Sequence, residues 1–548
     1  MKIAVCQINS IIGDLDFNKS KIIDSYKRGV KDKVDLVICP ELSLVGYPPL
    51  DLVEKKEFRD AAARKALEIA SVTGETGLIF GSITEDNDNV GTDIHNSAIL
   101  CYDKKIQFVE HKTLIPNYDV FDEMRYFEPA KNVENFEFKG EKLGISVCED
   151  IWNDEDYWYK RRYSRDPVNT LVKKGATILI NISASPYGYG KRLDRKKMLS
   201  LLTSQNQIPL VYACCVGAQT ELIFDGASMC LNSQGELVKI GNAFEEDYFI
   251  FDTEEKYKAI DDKDIEKDLS EEVLNALVFG LGEYCEKLGF KKLLLGLSGG
   301  IDSALTAYIA MQAMGKENVH VVLMPSIYSS EGSIKDSEKL ITNLEISDNN
   351  VSIQPVAEKV IEQLKPALGD NINNLVEENL QARVRGIYLM AFSNQNNYLL
   401  LATGNKSELA TGYCTLYGDM CGGVAVLGDV YKTDVYRIVN FINRDEEIIP
   451  DEIVKKAPSA ELKFDQKDQD TLPEYPLLDK ILKMYLEENK ELNEIVGEIG
   501  NKEIVKRVLS MVDKNEFKRK QAAPVLRVST KAFGYGRRYP IVQGWRRS

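Results

Sequence analysis

Histidine is scarce in this chain. Only three are present in 548 residues, so a catalytic cysteine paired with a histidine is a poor candidate for its chemistry. The ten cysteines include no CxxC pair, which argues against both a zinc site and a disulfide framework. No apolar run approaches the length of a membrane span. We therefore expect a protein of the reducing cytoplasm.

Basic residues are also fewer than acidic ones. Lys and Arg number 69 against 85 Asp and Glu, which gives a formal net charge of -16. Binding to nucleic-acid phosphates needs a clustered excess of basic residues, so a nucleic acid is not the expected partner. Small anionic substrates need only a few local cations. A chain of this length exceeds what one hydrophobic core usually serves, and we expect two domains.

Short apolar runs alternate with charged, helix-like stretches along the whole chain. In residues 1–255 the predicted strands include KIAVCQI, VDLVICPEL, GLIFGSI, KLGISVCED, ATILINIS and PLVYACCVGA. A charged linker over 256–272 follows. In residues 273–548 the predicted strands are KKLLLGLS, HVVLMPS, NVSIQPV and NYLLLAT. Both parts are of the α/β class, and the second alternation predicts a mostly parallel sheet covered by helices.

Three residues of the first part, each at the end of a strand-like run, suit amide cleavage. They are Cys148 after KLGISV, Glu41 after DLVICP and Lys112 after FVEH. Releasing ammonia from a carboxamide requires a nucleophile, a base and a group that stabilises the oxyanion. A cationic Lys112 would also favour the thiolate of Cys148. Singly, the three would fit a buried core thiol, a helix cap and a surface charge.

The sequence segments around these residues closely resemble the three signature stretches of the nitrilase, or carbon-nitrogen hydrolase, superfamily. They are CPELSLVGYPP, HKTLIPNYDVFDEMRYF and VCEDIW, in that order. The resemblance implies an αββα sandwich in which Glu41 is the general base and Cys148 the nucleophile. Lys112 and a backbone NH would stabilise the oxyanion, and Glu123 would support them.

Glutamine is the amide implied by the same resemblance. Tyr118 in IPNYDVF and the segment SASPYGYGK, with Ser185 and Lys191, are similar to glutamine-binding positions of the amidotransferase branch. A glutaminase with its nucleophile at the mature N-terminus fits badly, because Cys6 lies too deep in the chain.

A glycine turn in the second part is suited to phosphate. The strand-like KKLLLGL runs into SGGIDS and then the helical ALTAYIAMQAM. Such a turn presents free backbone NH groups and the positive end of a helix dipole to an anion. The GxxxxGK[ST] spacing and a loop lysine are both absent, which disfavours a P-loop kinase or GTPase.

SGGIDS resembles the pyrophosphate loop of N-type ATP pyrophosphatases, which cleave ATP to AMP and pyrophosphate by adenylating an acceptor oxygen. The resemblance implies a Rossmann-like parallel sheet, with Asp302 as a Mg²⁺ ligand, since this ion prefers oxygen donors. The implied ATP contacts of the loop are Gly296, Leu297, Ser298, Gly299, Gly300, Ile301, Asp302 and Ser303.

Two later stretches are similar to the signatures of NAD synthetases. They begin LLLATGNKSELATGYCTLYGDM and EFKRKQAAPVLRVST. The resemblance implies that Thr403 and Lys432 contact ATP, and that Glu408 contacts Mg²⁺ or substrate. The other implied contacts with deamido-NAD are Asn379, Asp419 and Lys518.

The two resemblances together imply an ATP-dependent amidation of deamido-NAD to NAD through an acyl-adenylate, with ammonia taken from glutamine. NAD is then a product and not a cofactor. They also imply an enclosed passage for ammonia and a homo-oligomer built on a synthetase-domain dimer. Two alternatives stay open: an amidotransferase of the same design acting on another carboxylate, and a binding protein with a decayed amidase part.

Overall fold

The computed structural model describes residues 1–86, 91–154, 157–158, 160–464 and 466–545. The chain divides into two compact units, Met1–Lys267 and Asp268–Ser548. Within the described residues, every helix is too short or too polar to cross a membrane.

The first unit is built mainly from strands, with helices on its outer faces. Its strands are β1 Lys2–Gln7, β2 Leu36–Ile38, β3 Gly77–Glu85, β4 Ile94–Tyr102, β5 Lys105–His111, β6 Phe136–Phe138, β7 Glu141–Val147, β8 Ile178–Ser183, β9 Leu210–Cys214, β10 Val216–Gln219, β11 Leu222–Asp225, β12 Met229–Leu231, β13 Leu237–Ile240 and β14 Asp247–Asp252. Its helices are α1 Leu15–Lys31, α2 Lys56–Ser71, α3 Pro167–Lys173, α4 Lys191–Asn206 and α5 Asp262–Ile265.

Two six-stranded sheets face each other in this unit. Their strand orders are β14-β1-β2-β3-β4-β5 and β13-β12-β9-β8-β7-β6. Val5 and Ile38 of one sheet share a buried cluster with Ile145 and Ile180 of the other. The outer faces bury separate apolar clusters under α1 and α2, and under α3 and α4. Because the inner strands alternate their side chains between two covered faces, β2, β8 and β9 are buried along their whole length. The predicted αββα sandwich is confirmed.

The second unit contains a smaller sheet and many helices. Its strands are β15 Leu293–Gly296, β16 Val319–Leu323, β17 Ser347–Asn350, β18 Leu399–Ala402 and β19 Val424–Ala425. Its helices are α6 Leu269–Leu288, α7 Ile301–Met314, α8 Glu331–Leu344, α9 Gln354–Leu368, α10 Asn374–Asn396, α11 Lys406–Thr411, α12 Lys432–Ile442, α13 Asp451–Lys455, α14 Tyr475–Leu486, α15 Leu492–Ile499, α16 Lys502–Lys514 and α17 Glu516–Arg519.

The sheet has the order β17-β16-β15-β18-β19, and all its strand pairs are parallel. This confirms the predicted class. The predicted strand NVSIQPV is wrong, since β17 ends at Asn350 and α9 begins at Gln354. Pro355 lies in the first turn of that helix, where its missing NH group and its restricted φ are well tolerated. The apolar residues of this run are therefore divided between a loop and a helix.

Candidate active sites

Glu41 lies just beyond β2, and its side chain is fully buried. Three donors surround the carboxylate. Lys112 Nζ lies 2.8 Å and Asn96 Nδ2 2.7 Å from Oε1, and the backbone NH of Ala184 donates to Oε2 at 2.7 Å. Such fixed donors hold the base in one orientation.

Lys112 bridges two carboxylates at the end of β5. Besides Glu41, its Nζ donates to both Oε1 and Oε2 of Glu123 at 2.9 Å, and Tyr47 donates its hydroxyl to Glu123 Oε1 at 2.8 Å. Burial opposes the charge of Lys112, but Glu123 and Glu41 outweigh it and hold the pKa of the lysine well above its usual value. Lys112 is therefore a buried cation and not a surface charge.

Cys148 immediately follows β7, at a backbone φ of +45°. This left-handed conformation is uncommon for a residue with a side chain, and it is often found at active sites. Asp150 holds the turn by accepting from the backbone NH of Val147 at 3.1 Å and from that of Leu114 at 2.7 Å. The second of these bonds ties the nucleophile turn to the segment that carries Lys112.

Lys112 lowers the pKa of the Cys148 thiol, but other groups outweigh it. Burial raises the pKa of the thiol well above its usual value, the nearby Glu41 carboxylate raises it further, and Lys112 only partly offsets them. The reason is that Lys112 already neutralises two carboxylates. The raised pKa disfavours the thiolate of Cys148, so the thiol needs a base when it attacks.

The predicted glutamine contacts lie beside this turn. Tyr118 donates its hydroxyl to both carboxylate oxygens of Glu149, at 2.8 and 3.0 Å. Lys191 begins α4 and donates to the carbonyl of Pro186 at 3.1 Å, while Ser185 is buried. These three stay predictions, but Tyr118 contacts the buried Glu149, which follows the nucleophile, and the charge of Lys191 lowers the pKa of that carboxyl.

His95 on β4 and His111 on β5 stack their rings, with the ring centroids 4.1 Å apart. Burial, together with His95, lowers the pKa of His111 to about 4. An unfolded chain, with a histidine pKa of about 6.5, binds more protons between these two values, so the free energy of unfolding should fall as pH drops through this window. Urea unfolding at about pH 7 and about pH 5 should show a smaller pH dependence for His111→Asn than for the wild type. An equal dependence in both proteins would show that His111 is not responsible.

The predicted phosphate loop joins β15 to α7. Gly299 has a φ of +75°, and a Cβ there would lie 2.5 Å from the carbonyl oxygen of Ser333. Only glycine fits this turn. The Ser303 hydroxyl donates to the Gly300 carbonyl at 3.0 Å. The loop is therefore tightly closed, and residues 300–303 at the start of α7, where backbone NH groups lack helical partners, line a cavity.

Asp302 lies in the first turn of α7, within a group of charged side chains. Asn405 Nδ2 donates to its Oδ1 at 3.0 Å, and Lys432 Nζ donates to its Oδ2. Lys432 Nζ also lies 3.7 Å from Glu408 Oε1. Burial and then the charge of Asp302 raise the pKa of Glu408 to about 8. Lys432 is buried and ion-paired, which contrasts with the solvated surface position expected for such a lysine alone.

A cavity of about 290 Å³ brings most of the predicted nucleotide contacts together. Gly299 does not line it. Asn379 and Lys518 do not line it either. They hold the segment before Asp419, since Thr415 donates its hydroxyl to Asn379 at 2.8 Å and Lys518 donates to the Gly412 carbonyl at 2.7 Å. The predicted residues that line the cavity are Gly296, Leu297, Ser298, Gly300, Ile301, Asp302, Ser303, Thr403, Glu408, Asp419 and Lys432.

Two family models match the two parts of the chain, carbon-nitrogen hydrolase over residues 2–257 and NAD synthase over residues 273–522. Glutamine-dependent NAD(+) synthetases of Synechocystis sp. and Acinetobacter baylyi are 41% and 40% identical to the chain. These matches cover 99% and 100% of the chain, and 99% of each relative. The chain belongs to the glutamine-dependent NAD(+) synthetase family.

Solved structures agree with this family. The glutamine-dependent NAD+ synthetase of Acinetobacter baumannii, in complex with ADP, is 37% identical, with 99% of each chain covered and a TM-score of 0.76. A glutamine-dependent NAD(+) synthetase of Cytophaga hutchinsonii shares the fold, at 19% identity and a TM-score of 0.84 over 99% of this chain and 98% of that one. The predicted family and enzyme class, a ligase, are confirmed. The roles of individual residues stay predictions.

Two residues of this family member escaped the sequence analysis. Glu149 directly follows Cys148, so its position next to the predicted nucleophile could have identified it as a candidate site residue. Burial raises the pKa of its carboxyl, and a buried acid with hydroxyl donors is suited to receive a cation. Asn96 donates to Glu41 and, at 3.4 Å, to Glu123. The sequence around Asn96 gives no comparable signal, because only the pairing of β4 with β3 and β5 brings this residue to the site.

Proposed function

We propose that the chain amidates deamido-NAD to NAD with ATP, using ammonia that its first unit releases from glutamine. The observation that carries the first part is the buried array of Glu41, Lys112 and Glu123 beside the buried Cys148. Cys148 Sγ attacks the glutamine carboxamide while Glu41 takes its proton. Lys112 stabilises the oxyanion. Glu41 then passes the proton to the amide nitrogen, the C–N bond breaks, and ammonia departs while a thioester remains on Cys148. Glu41 then activates water, which releases glutamate and restores the thiol.

The head group of glutamine also needs recognition. Glu149 offers a buried carboxylate, held by hydroxyl groups of Tyr118 and Tyr163 at 2.8 and 2.9 Å, which suits the α-ammonium group. Ser185, which lies just after β8, and Lys191, which begins α4, are proposed to complete the pocket. Glutamine would then bind with its side-chain amide toward Cys148.

The second unit is proposed to activate the acceptor. The nicotinate carboxylate of deamido-NAD attacks the α-phosphate of ATP, forming an acyl-adenylate and releasing pyrophosphate, and ammonia then displaces AMP. Backbone NH groups of the loop 298–303 and the ammonium of Lys432 stabilise the phosphate charge. Support comes from the cavity in which the loop, Thr403 and Asp419 meet.

The carboxylates here fit Mg²⁺. Asp302 and Glu408 are hard oxygen donors that both adjoin one ammonium group, and an oxygen of the neighbouring Asp468 is buried without a hydrogen bond. Within the described ranges no group of three or more such side chains could hold a metal by itself, as is usual for an ion that is bound partly by substrate phosphates. Asp302 and Glu408 would hold it, and it would neutralise phosphate charge.

We also propose that the protein is cytoplasmic and that it forms a homo-oligomer. Helix α10 exposes Leu375, Ile387 and Met390, with Ile387 at 65% exposure, and an apolar surface of this kind suits a second copy. Light scattering after size-exclusion chromatography would measure the mass. Ile387→Asp should lower it if α10 is the contact.

The function is tested by incubating the protein with deamido-NAD, ATP, Mg²⁺ and either glutamine or ammonium, and by assaying NAD. Formation of NAD from both nitrogen sources is expected. If deamido-NAD is inert while another carboxylate is amidated, the alternative amidotransferase is correct. If glutamine is never hydrolysed, the first unit has a binding role instead.

Glu41→Gln should lower glutamine-dependent NAD formation by about 10²- to 10⁴-fold, because a neutral amide cannot take the thiol proton. Formation from ammonium should be unchanged. The matched control is Glu110→Gln, since burial raises the pKa of Glu110 to about 9 and its side chain is already neutral. Full activity of Glu41→Gln with glutamine would remove Glu41 from the base role.

A further inference from the structure

Asp479 on α14 belongs to a buried hydrogen-bond network behind the proposed adenylating site. Its Oδ1 accepts the hydroxyl of Ser407 at 2.5 Å, and its Oδ2 accepts the backbone NH of Thr433 at 2.9 Å. The hydroxyl oxygen of Ser407 in turn accepts the backbone NH of Lys432 at 3.0 Å. Asp479 and Ser407 are both buried, so water does not readily replace these bonds. One carboxylate thus joins the starts of α11 and α12 to α14.

The starts of α11 and α12 carry charged groups that meet in the cavity. Glu408 is held by its own helix, since its backbone NH donates to Asn405 Oδ1 at 3.0 Å and its Oε2 accepts the backbone NH of Asn405 at 3.2 Å. Asn405 also donates to Asp302. From the start of α12, Lys432 Nζ donates to Asp302 Oδ2 and lies 3.7 Å from Glu408 Oε1. The position of this ammonium group therefore depends on how α12 begins relative to α11.

Other helices, and not its own N-cap, hold the start of α12. The N-cap residue is Tyr431, a residue type that does not cap a helix through its side chain. The first NH groups of a helix have no partners within it. Those of Lys432 and Thr433 are satisfied by α11 and α14, from 25 and 46 positions away in the chain. Ser407 and Asp479 together therefore set where the Lys432 side chain begins.

We propose that Asp479 is a positioning residue that acts through Ser407 to hold the ammonium of Lys432 in the adenylating site. This inference rests on the proposed function of the second unit. Asp479 is not among the described residues that line the cavity, so its effect is geometric. A misplacement of about 1 Å in a catalytic site can cost about 100-fold in rate. A carboxylate suits this role because it accepts hydrogen bonds at both oxygens, whereas an amide accepts at only one.

The test is Asp479→Asn, which keeps the volume of the side chain and removes one acceptor. In ammonium-driven NAD formation, kcat/KM for ATP should fall about 10- to 100-fold, while KM for deamido-NAD and basal glutamine hydrolysis should be unchanged. Ser407→Ala should have the same effect because it cuts the same link, and it replaces Asp479→Asn as the test if that variant does not fold. The matched control is Asp513→Asn, since Asp513 is a buried acid of the same unit that accepts the Tyr485 hydroxyl at 3.1 Å. The folded control should keep the wild-type rate.

A double-mutant cycle separates positioning from simple stabilisation of the helix packing. If Asp479 acts through Lys432, Asp479→Asn should lower the rate little further in a Lys432→Met background, because the group that it positions is already gone. Equal fold losses in the two backgrounds would overturn the proposal. A lower free energy of unfolding with an unchanged rate would overturn it as well.

Binding of ATP repeats the cycle without turnover and separates this inference from the proposed function. In calorimetric titrations, Asp479→Asn should weaken ATP binding about 10-fold, as expected for a displaced charge-assisted bond, and should have no further effect when Lys432 is Met. The same weakening in both backgrounds would overturn the inference. Wild-type protein that binds ATP but forms no NAD would contradict the proposed function instead, and the binding cycle would still decide the role of Asp479.

Discussion

Cys148→Ala should lower glutamine-dependent NAD formation by at least about 10³-fold, because no other group can form the thioester. NAD formation from added ammonium should continue at the wild-type rate, since the proposed adenylating site lies in the other unit and does not use the thiol. The measurement is NAD produced from deamido-NAD and ATP with each nitrogen source in turn.

Cys101→Ala is the matched control, because Cys101 is another buried free cysteine of the first unit without a proposed role. It should keep both activities. Loss of both activities in folded Cys148→Ala protein would contradict the division of work between the two units. Retained activity with glutamine would show that the nucleophile lies elsewhere.

Asp302→Asn should lower NAD formation from glutamine and from ammonium equally, by about 10- to 100-fold, as expected for loss of a metal ligand. Asp302 sits in the first turn of α7 and shares Lys432 with Glu408. Because adenylation precedes attack by ammonia, neither nitrogen source can bypass the defect. The measurement is ammonium-driven synthesis across a Mg²⁺ titration.

Asp370→Asn serves as the control, since Asp370 is an exposed acid of the same unit and its replacement should change nothing. Basal hydrolysis of glutamine by Asp302→Asn should survive. Wild-type turnover at low Mg²⁺ would show that Asp302 stabilises only the start of α7, where an acidic side chain is favourable in any case.

The positions of the predicted nucleophile and base could be inferred from local pattern, but their protonation could not. Cys148 and Glu41 end apolar runs, and apolar runs of this kind predict strands whose ends carry functional side chains. The raised pKa of the thiol depends on burial and on the charges of Glu41 and Glu123, which Lys112 partly offsets. Desolvation and through-space charge are properties of the packed site and have no sequence pattern.

The wrong prediction of a strand at NVSIQPV also arose because tertiary packing is not visible in the local sequence. Its β-branched residues favour a strand, yet β17 ends at Asn350 and Pro355 begins a helix. The strand that forms is Ser347–Asn350, an exposed edge strand without an apolar residue. Pairing with β16 decides its place, and an edge strand needs little side-chain burial of its own.

The sequence by itself determined the family, the αββα and parallel-sheet architecture and the glycine loop, because hydrophobic alternation, turn chemistry and signature words are local in the chain. Only the tertiary structure decided which groups meet. It placed Asn96 against Glu41 and Glu149 between two tyrosines. These contacts join residues up to 55 positions apart, and their charges act through buried surroundings that exist only after the sheets have packed.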